Sequence, residues 1–170
     1  MVTLKAALAN SANVGDIVGT GNFTGKKVGA FAFLASSEST ETVVAGTYYP
    51  IAGTFTNSPS ECFIEAVTYT PGIKYNCGLT QYFEIDWHAS VRAEVANTTL
   101  HCGVMKNGEL VVSSKVGTFA KNADQPYALS GTTVIELAED DEVQLVCESD
   151  QATKDLTFIH FTTTLSEFFD

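Results

Sequence analysis

In the segment from Gln81 to Val95, apolar and polar positions alternate from Phe83 onward. Phe83, Ile85, Trp87, Ala89, Val91, Ala93 and Val95 fall on one side, and Glu84, Asp86, His88, Ser90, Arg92 and Glu94 on the other. A period of two marks a β-strand with one buried face. A strand of that length shelters its apolar side only against a second sheet or inside a closed barrel, so the segment predicts an all-β, antiparallel β-sandwich. Its core is read as Phe83, Ile85, Trp87 and Val91, joined by Leu145 from the apolar run 143–147.

Further strand signals recur at the roughly 8–12-residue spacing of a sandwich or barrel. They cover 28–34, 47–55, 62–69, 99–106, 109–114, 127–129, 132–138, 142–148 and 156–168, which leaves little room for helix. Asn107-Gly108 predicts a two-residue hairpin, because both central positions of a type I′ turn require positive φ. Glu139-Asp140-Asp141 joins the runs 133–137 and 143–147 and is read as a second turn between sheet neighbours, since Asp tolerates the left-handed conformation. Residues 1–30 differ from the remainder, with Gly15, Gly19, Gly21, Gly25 and Gly29 scattered among small and polar residues. They are read as an N-terminal arm, and 31–170 as one domain.

A chain of 170 residues buries about 70% of its unfolded surface in a single core. Its net charge of −11, from 20 acidic and 9 basic residues, repels a phosphate backbone and argues against direct nucleic-acid binding. A basic protein surface is the partner such a charge favours. No run approaches the ~18 apolar residues of a membrane span, and the stretch 1–9 is too short and broken for a signal peptide. Cys62, Cys77, Cys102 and Cys147 lack the close spacing of zinc or redox pairs. Cys102 and Cys147 sit in apolar strands, so all four are expected as reduced structural thiols in a cytosolic chain.

Catalytic chemistry is not signalled. Asp86, His88 and Ser90 share one face, but residues two apart on a strand lie about 7 Å apart, too far to relay a proton. His101 and Cys102 point to opposite faces and cannot chelate one ion. His160 lies on a different strand signal from either. Glu139 to Glu142 cluster oxygens that suit a hard cation, yet lack the interleaved pattern of dedicated loops and read as a solvated acidic turn. The glycines of 19–25 precede neither a helix nor a Lys-Ser/Thr pair, so they cradle no phosphate. No catalytic residue, metal site or cofactor is expected.

The order of several pieces carries a family resemblance. They are Gly46-Thr47-Tyr48-Tyr49-Pro50-Ile51, Thr68-Tyr69-Thr70, Tyr82-Phe83-Glu84-Ile85, Gly103-Val104-Met105-Lys106-Asn107-Gly108, Ser130-Gly131-Thr132-Thr133-Val134-Ile135-Glu136-Leu137 and Asp141-Glu142-Val143. Over roughly residues 35–170 the chain resembles the jelly-roll module shared by complement C1q and tumour necrosis factor, most closely its versions in tailed-bacteriophage virion proteins. It departs from them in carrying Asp140-Asp141 where the family usually has Gly-Asp.

The resemblance implies a homotrimer and a structural role rather than an enzyme. The foremost expectation is a capsid decoration (cement) protein, made in the host cytoplasm, that sits outside the head and ties major capsid proteins together. The alternative is the receptor-binding tip of a tail fibre or spike, or a short head fibre. Thirty residues of arm supply little shaft for a fibre. The arm holds Lys5, Lys26 and Lys27, three of nine basic residues, and is expected to attach the protein to the capsid. Tyr48, Tyr49, Tyr69, Tyr75, Tyr82, Phe158, Phe161, Phe168 and Phe169 exceed what a thin sandwich core comfortably buries, a surplus that a cyclic interface would cover.

Overall fold

The computed structural model describes residues 28–33, 39–51, 55–58, 62–68, 72–151 and 154–168. Its strands are β1 (Val28–Phe33), β2 (Ser39–Val43), β3 (Tyr49–Pro50), β4 (Phe55–Ser58), β5 (Phe63–Glu65), β6 (Ile73–Tyr75), β7 (Gln81–Ala93), β8 (Thr98–Lys106), β9 (Glu109–Leu110), β10 (Val116–Ala120), β11 (Tyr127–Leu137), β12 (Glu142–Ser149) and β13 (Lys154–Glu167). The first sheet runs β11-β7-β13-β1-β4 with β2 also on β13; the second runs β10-β8-β12-β6-β5 with β3 on β12 and β9 on β8. The chain changes sheet between β2 and β3, β3 and β4, β4 and β5, β6 and β7, β7 and β8, β10 and β11, β11 and β12, and β12 and β13. This is an antiparallel jelly-roll sandwich. Among the described residues there is no α-helix, only a 3-10 turn at Val112–Ser114.

The alternating segment is β7, flanked by β11 and β13. Phe83, Ile85, Trp87 and Val91 are each 0% exposed and Leu145 is 2%. The strand stops at Ala93, where the chain crosses to the other sheet through a turn with Asn97 at φ 60°, so Val95 lies past its end. The rings of Phe63, Tyr75 and Phe83 pack with centroids 5.1–5.4 Å apart in tilted and edge-on contacts, the geometry that ring quadrupoles favour. In β13 the pairing shifts between Phe158 and His160. That extra residue lets Phe158 and Phe161, three apart, both enter the core.

Gly131 of β11 stands directly opposite Trp87. A Cβ there would meet Cζ2, Cε2 and Nε1 of the indole at 2.7, 2.8 and 2.9 Å. The glycine in the middle of a strand is therefore the seat of the Trp87 ring. It also explains why the runs 127–129 and 132–138, predicted as two strands, are one.

Several sequence expectations are corrected. The turn at 139–141 links β11 in the first sheet to β12 in the second, so it crosses the sandwich instead of joining sheet neighbours. The predicted strand 109–114 ends at Leu110, because the 3-10 turn folds back over Gly103. Ser114 Oγ there accepts from Val104 N at 2.7 Å and donates to Val111 O at 2.6 Å. The predicted strand 47–55 is split into β3 and β4. β2, β6 and β10 are short strands that the pattern did not reveal.

The cysteines are not reduced thiols. Cys62 is bonded to Cys77 and Cys102 to Cys147, which face each other across β8 and β12. Pairing register, invisible in sequence spacing, brings them together. The aromatic surplus also shrinks: Tyr75, Phe158 and Phe161 lie in the core, Tyr48 and Tyr49 are half-buried, and Tyr82 and Phe168 are exposed. Tyr69 and Phe169 lie outside the described residues, as does the arm up to Lys27.

Candidate interaction surface

Because side chains alternate along β7, β11 and β13, one set forms an outer face on the first sheet. Cross-strand neighbours on it are Ser90 with Ala128 and His160, His88 with Ser130 and Thr162, Asp86 with Thr132 and Thr164, and Glu84 with Val134 and Ser166. The face is rich in hydroxyl groups and poor in charge. Asp86, one of its few carboxylates, accepts from the Thr132 hydroxyl. Toward one end it exposes apolar side chains beside two carboxylates, Glu84 opposite Val134 and Glu136 opposite Tyr82. Tyr82 (54% exposed) and Phe168 (44%) lie side by side, with Phe168 N donating to Tyr82 O at 2.8 Å, and Val134 (41%) is a diagonal neighbour.

The adjoining edge continues this character. β10 and β11, the edge strands of the two sheets, lie next to each other. Phe119 of β10 and Val112 of the 3-10 turn are exposed there, and Ser113 bonds the Thr133 hydroxyl at 2.8 Å. Apolar side chains set in a weakly charged face mark a surface suited to protein association.

At the end of the sandwich, the acidic turn is a hydrogen-bonded knot in which Glu139 and Asp140 remain exposed to solvent. Glu139 accepts from Gly78 N, and Asp140 pairs with Lys74. Asp141 accepts from Lys106 Nζ at 2.8 Å, Ala138 N at 2.7 Å and Asn107 Nδ2 at 2.6 Å. Glu142, 5% exposed, accepts from the backbone N–H groups of Val67 and Thr68 at 3.0–3.2 Å. These carboxylates are committed to protein donors from three other segments. Among the described residues no group of three or more His, Cys, Asp or Glu is arranged to hold a metal.

Burial works against the charge of Asp141, but Lys106, the Ala138 N–H and Asn107 outweigh it and hold the carboxyl below its ordinary value of 3.8. A depressed folded-state value stabilises the fold above the unfolded value, and the gain disappears as pH falls through the folded one. Asp141→Asn is therefore expected to cost about 2 kcal/mol in urea unfolding at pH 7. That cost should shrink toward zero below the ordinary carboxylate range. Parallel stability curves for wild type and variant across that range would contradict the assignment.

Beside this knot, Tyr75 Oη donates to Gln81 Oε1 at 2.9 Å and Gln81 Nε2 donates to Glu167 Oε1 at 2.8 Å. Burial, reinforced by the Glu167 and Glu139 charges, pushes the Tyr75 phenol up. On the outer face of the second sheet, His101 Nδ1 lies 2.9 Å from Glu148 Oε1, and Lys115 Nζ lies 3.6 Å from that oxygen and 5.6 Å from the Tyr48 ring centre. Gly117 leaves the imidazole its place, since a Cβ there would meet His101 Cδ2 at 2.5 Å.

The histidines stand on separate strands, His88 on β7, His101 on β8 and His160 on β13. His88 and His160 share the outer face of the first sheet, near each other through Ser90 and Thr162. His101 lies on the opposite sheet, and its neighbour Cys102 is buried and disulfide-bonded. Asn107 and Gly108 form the tip between β8 and β9, at φ 50° and 81° with Lys106 opposite Glu109. Lys5, Lys26 and Lys27 lie outside the described residues. Tyr82, Val134 and Phe168 could not be brought together from the sequence, because they meet only through sheet register.

No protein-family model matches the chain, and no curated protein matches it either. Solved structures do. The structure of Eiger TNF from S. frugiperda matches with a TM-score of 0.57 at 10% identity, over 86% of this chain and 94% of that one. The globular domain of zebrafish complement 1qA matches at 0.49 and 15% identity, over 85% and 98%. PRD1 vertex protein P5 matches at 0.47 and 13% identity, over 85% and 99%. The likeness to Eiger TNF establishes the fold, a C1q/TNF-like jelly roll.

Proposed function

We propose that the chain is a structural virion protein: a homotrimeric decoration protein that binds the major capsid protein lattice of a tailed phage from outside the head. The observation that carries the association is the outer face of the first sheet with its exposed Tyr82, Val134 and Phe168, next to the edge that exposes Phe119. A face on one copy and an edge on the next make a head-to-tail contact that closes into a ring. The phage setting rests on the resemblance carried by the ordered strand and turn sequences. A net charge of −11 suits a basic protein surface and disfavours nucleic acid.

The mechanism is mass action. A protein that binds only the assembled lattice stabilises it by its binding free energy, and several contacts from one trimer raise that through avidity. Residues 1–30, of which 28–30 open β1, form the attachment arm of this proposal and 31–170 its jelly-roll domain, with Lys5, Lys26 and Lys27 meeting the capsid. Deleting residues 1–26 stops short of β1. The truncated protein is expected to remain a folded trimer by circular dichroism and light scattering and to lose most of its binding to undecorated heads. A monomer would overturn the trimer, and unchanged head binding would move the attachment surface from the arm to the jelly roll.

A further inference from the structure

The hairpin tip holds a chemistry that the functional proposal does not use. In an Asn-Gly pair the glycine nitrogen meets little steric hindrance in attacking the preceding side-chain amide. A bond forms between Gly108 N and Asn107 Cγ, the Cγ–Nδ2 bond breaks, and ammonia leaves with the proton from Gly108 N. Water then opens the five-membered imide at either carbonyl, giving Asp or isoaspartate at position 107. Overall one water enters and one ammonia leaves.

Asn107 and Gly108 are both exposed, but the amide is held at both ends. Nδ2 donates to Asp141 Oδ1 at 2.6 Å, and Oδ1 accepts from Glu142 N at 2.8 Å. The backbone N–H of Asn107 also donates to Glu142 O at 2.9 Å. Asp141 is fixed in turn by Lys106 and by Ala138 N. Swinging Cγ toward Gly108 N requires both side-chain bonds to break.

We propose that Asn107 is a modification site held latent by the fold: the clamp from Asp141 and Glu142 blocks loss of its amide, and opening of the β8–β9 hairpin from the β11–β12 crossover releases it. The change is self-perpetuating. Aspartate at 107 replaces a donor with a carboxylate facing Asp141, and isoaspartate adds a backbone methylene to a two-residue turn that sets Lys106 opposite Glu109. Either product prevents the clamp from closing again.

The test follows the peptide containing Asn107 by mass spectrometry in full-length protein at mildly alkaline pH. Native protein is expected to convert on the order of a hundredfold more slowly than the same protein in concentrated urea, because two bonds must be released. Folded Asp141→Ala is expected to convert about tenfold faster than wild type. Equal native and unfolded rates, or an unfolded chain that does not convert, would overturn the proposal, as would a folded Asp141→Ala protein no faster than wild type. If that variant fails to fold, Asn107→Asp gives a second reading. It should melt below wild type at pH 7 and approach it when the carboxylates are protonated, and coincident melting at pH 7 would count against the clamp.

Discussion

Trp87→Ala is expected to lower the unfolding free energy by about 3–5 kcal/mol, a large share of the stability of an ordinary domain. Trp87 is 0% exposed at the centre of β7, and its ring covers Gly131 on the neighbouring strand. Removing it empties the middle of the core and uncovers a glycine that has no side chain to fill the space. Two companion variants separate ring volume from hydrogen bonding. The indole N–H is buried without a hydrogen-bond partner, so Trp87→Phe should cost clearly less than Trp87→Ala. Gly131→Ala should cost about 1–3 kcal/mol by overpacking against the ring. Near-native urea unfolding of Trp87→Ala would mean that this contact does not organise the sandwich.

Loss of the disulfides is expected to have the next largest effect. By loop-closure entropy the 15-residue separation of Cys62 and Cys77 corresponds to about 3 kcal/mol, and the 45-residue separation of Cys102 and Cys147 to about 4 kcal/mol. The two should respond differently to reductant. Cys102 and Cys147 are both 0% exposed, whereas Cys77 is half-buried, so Cys62–Cys77 should open first in a folded sample. Peptide mapping without reductant should recover both bonds, and urea unfolding with and without dithiothreitol should show the stability difference. Four freely titrating thiols in protein purified without reductant would refute the pairing.

The fold was legible where local physics dominates. The alternation of β7 is a property of one strand, and the two positive-φ residues of the Asn107-Gly108 turn are a property of two adjacent positions. Both could be read from the chain alone. The Glu139-Asp140-Asp141 turn shows where such reading ends. Its residues signal a reversal, and Asp140 does adopt φ 70°. Whether the strands on either side share a sheet depends on their distant partners, β7 and β8.

The same limit governs the disulfides and the acidic knot. Cys102 meets Cys147 because β8 and β12 pair in one particular register, and Glu142 is buried because the loop at Val67 and Thr68 folds over it. Even the eight residues of β12, which include Gln144 and Glu148, are all buried. Their alternation cannot be read as one wet and one dry side. The candidate surface was the least legible part, since Tyr82 lies on β7, Val134 on β11 and Phe168 just after β13. Only sheet register places them together.

The capsid-decoration account is tested most directly by location on the particle. Purified labelled protein is added to undecorated heads, and intact virions are imaged in parallel. The account predicts copies spread over the outer surface of the head at threefold and quasi-threefold positions, with occupancy that saturates as protein is added. Copies confined to the tail or its fibres, with bare heads left unoccupied at saturating protein, would contradict it.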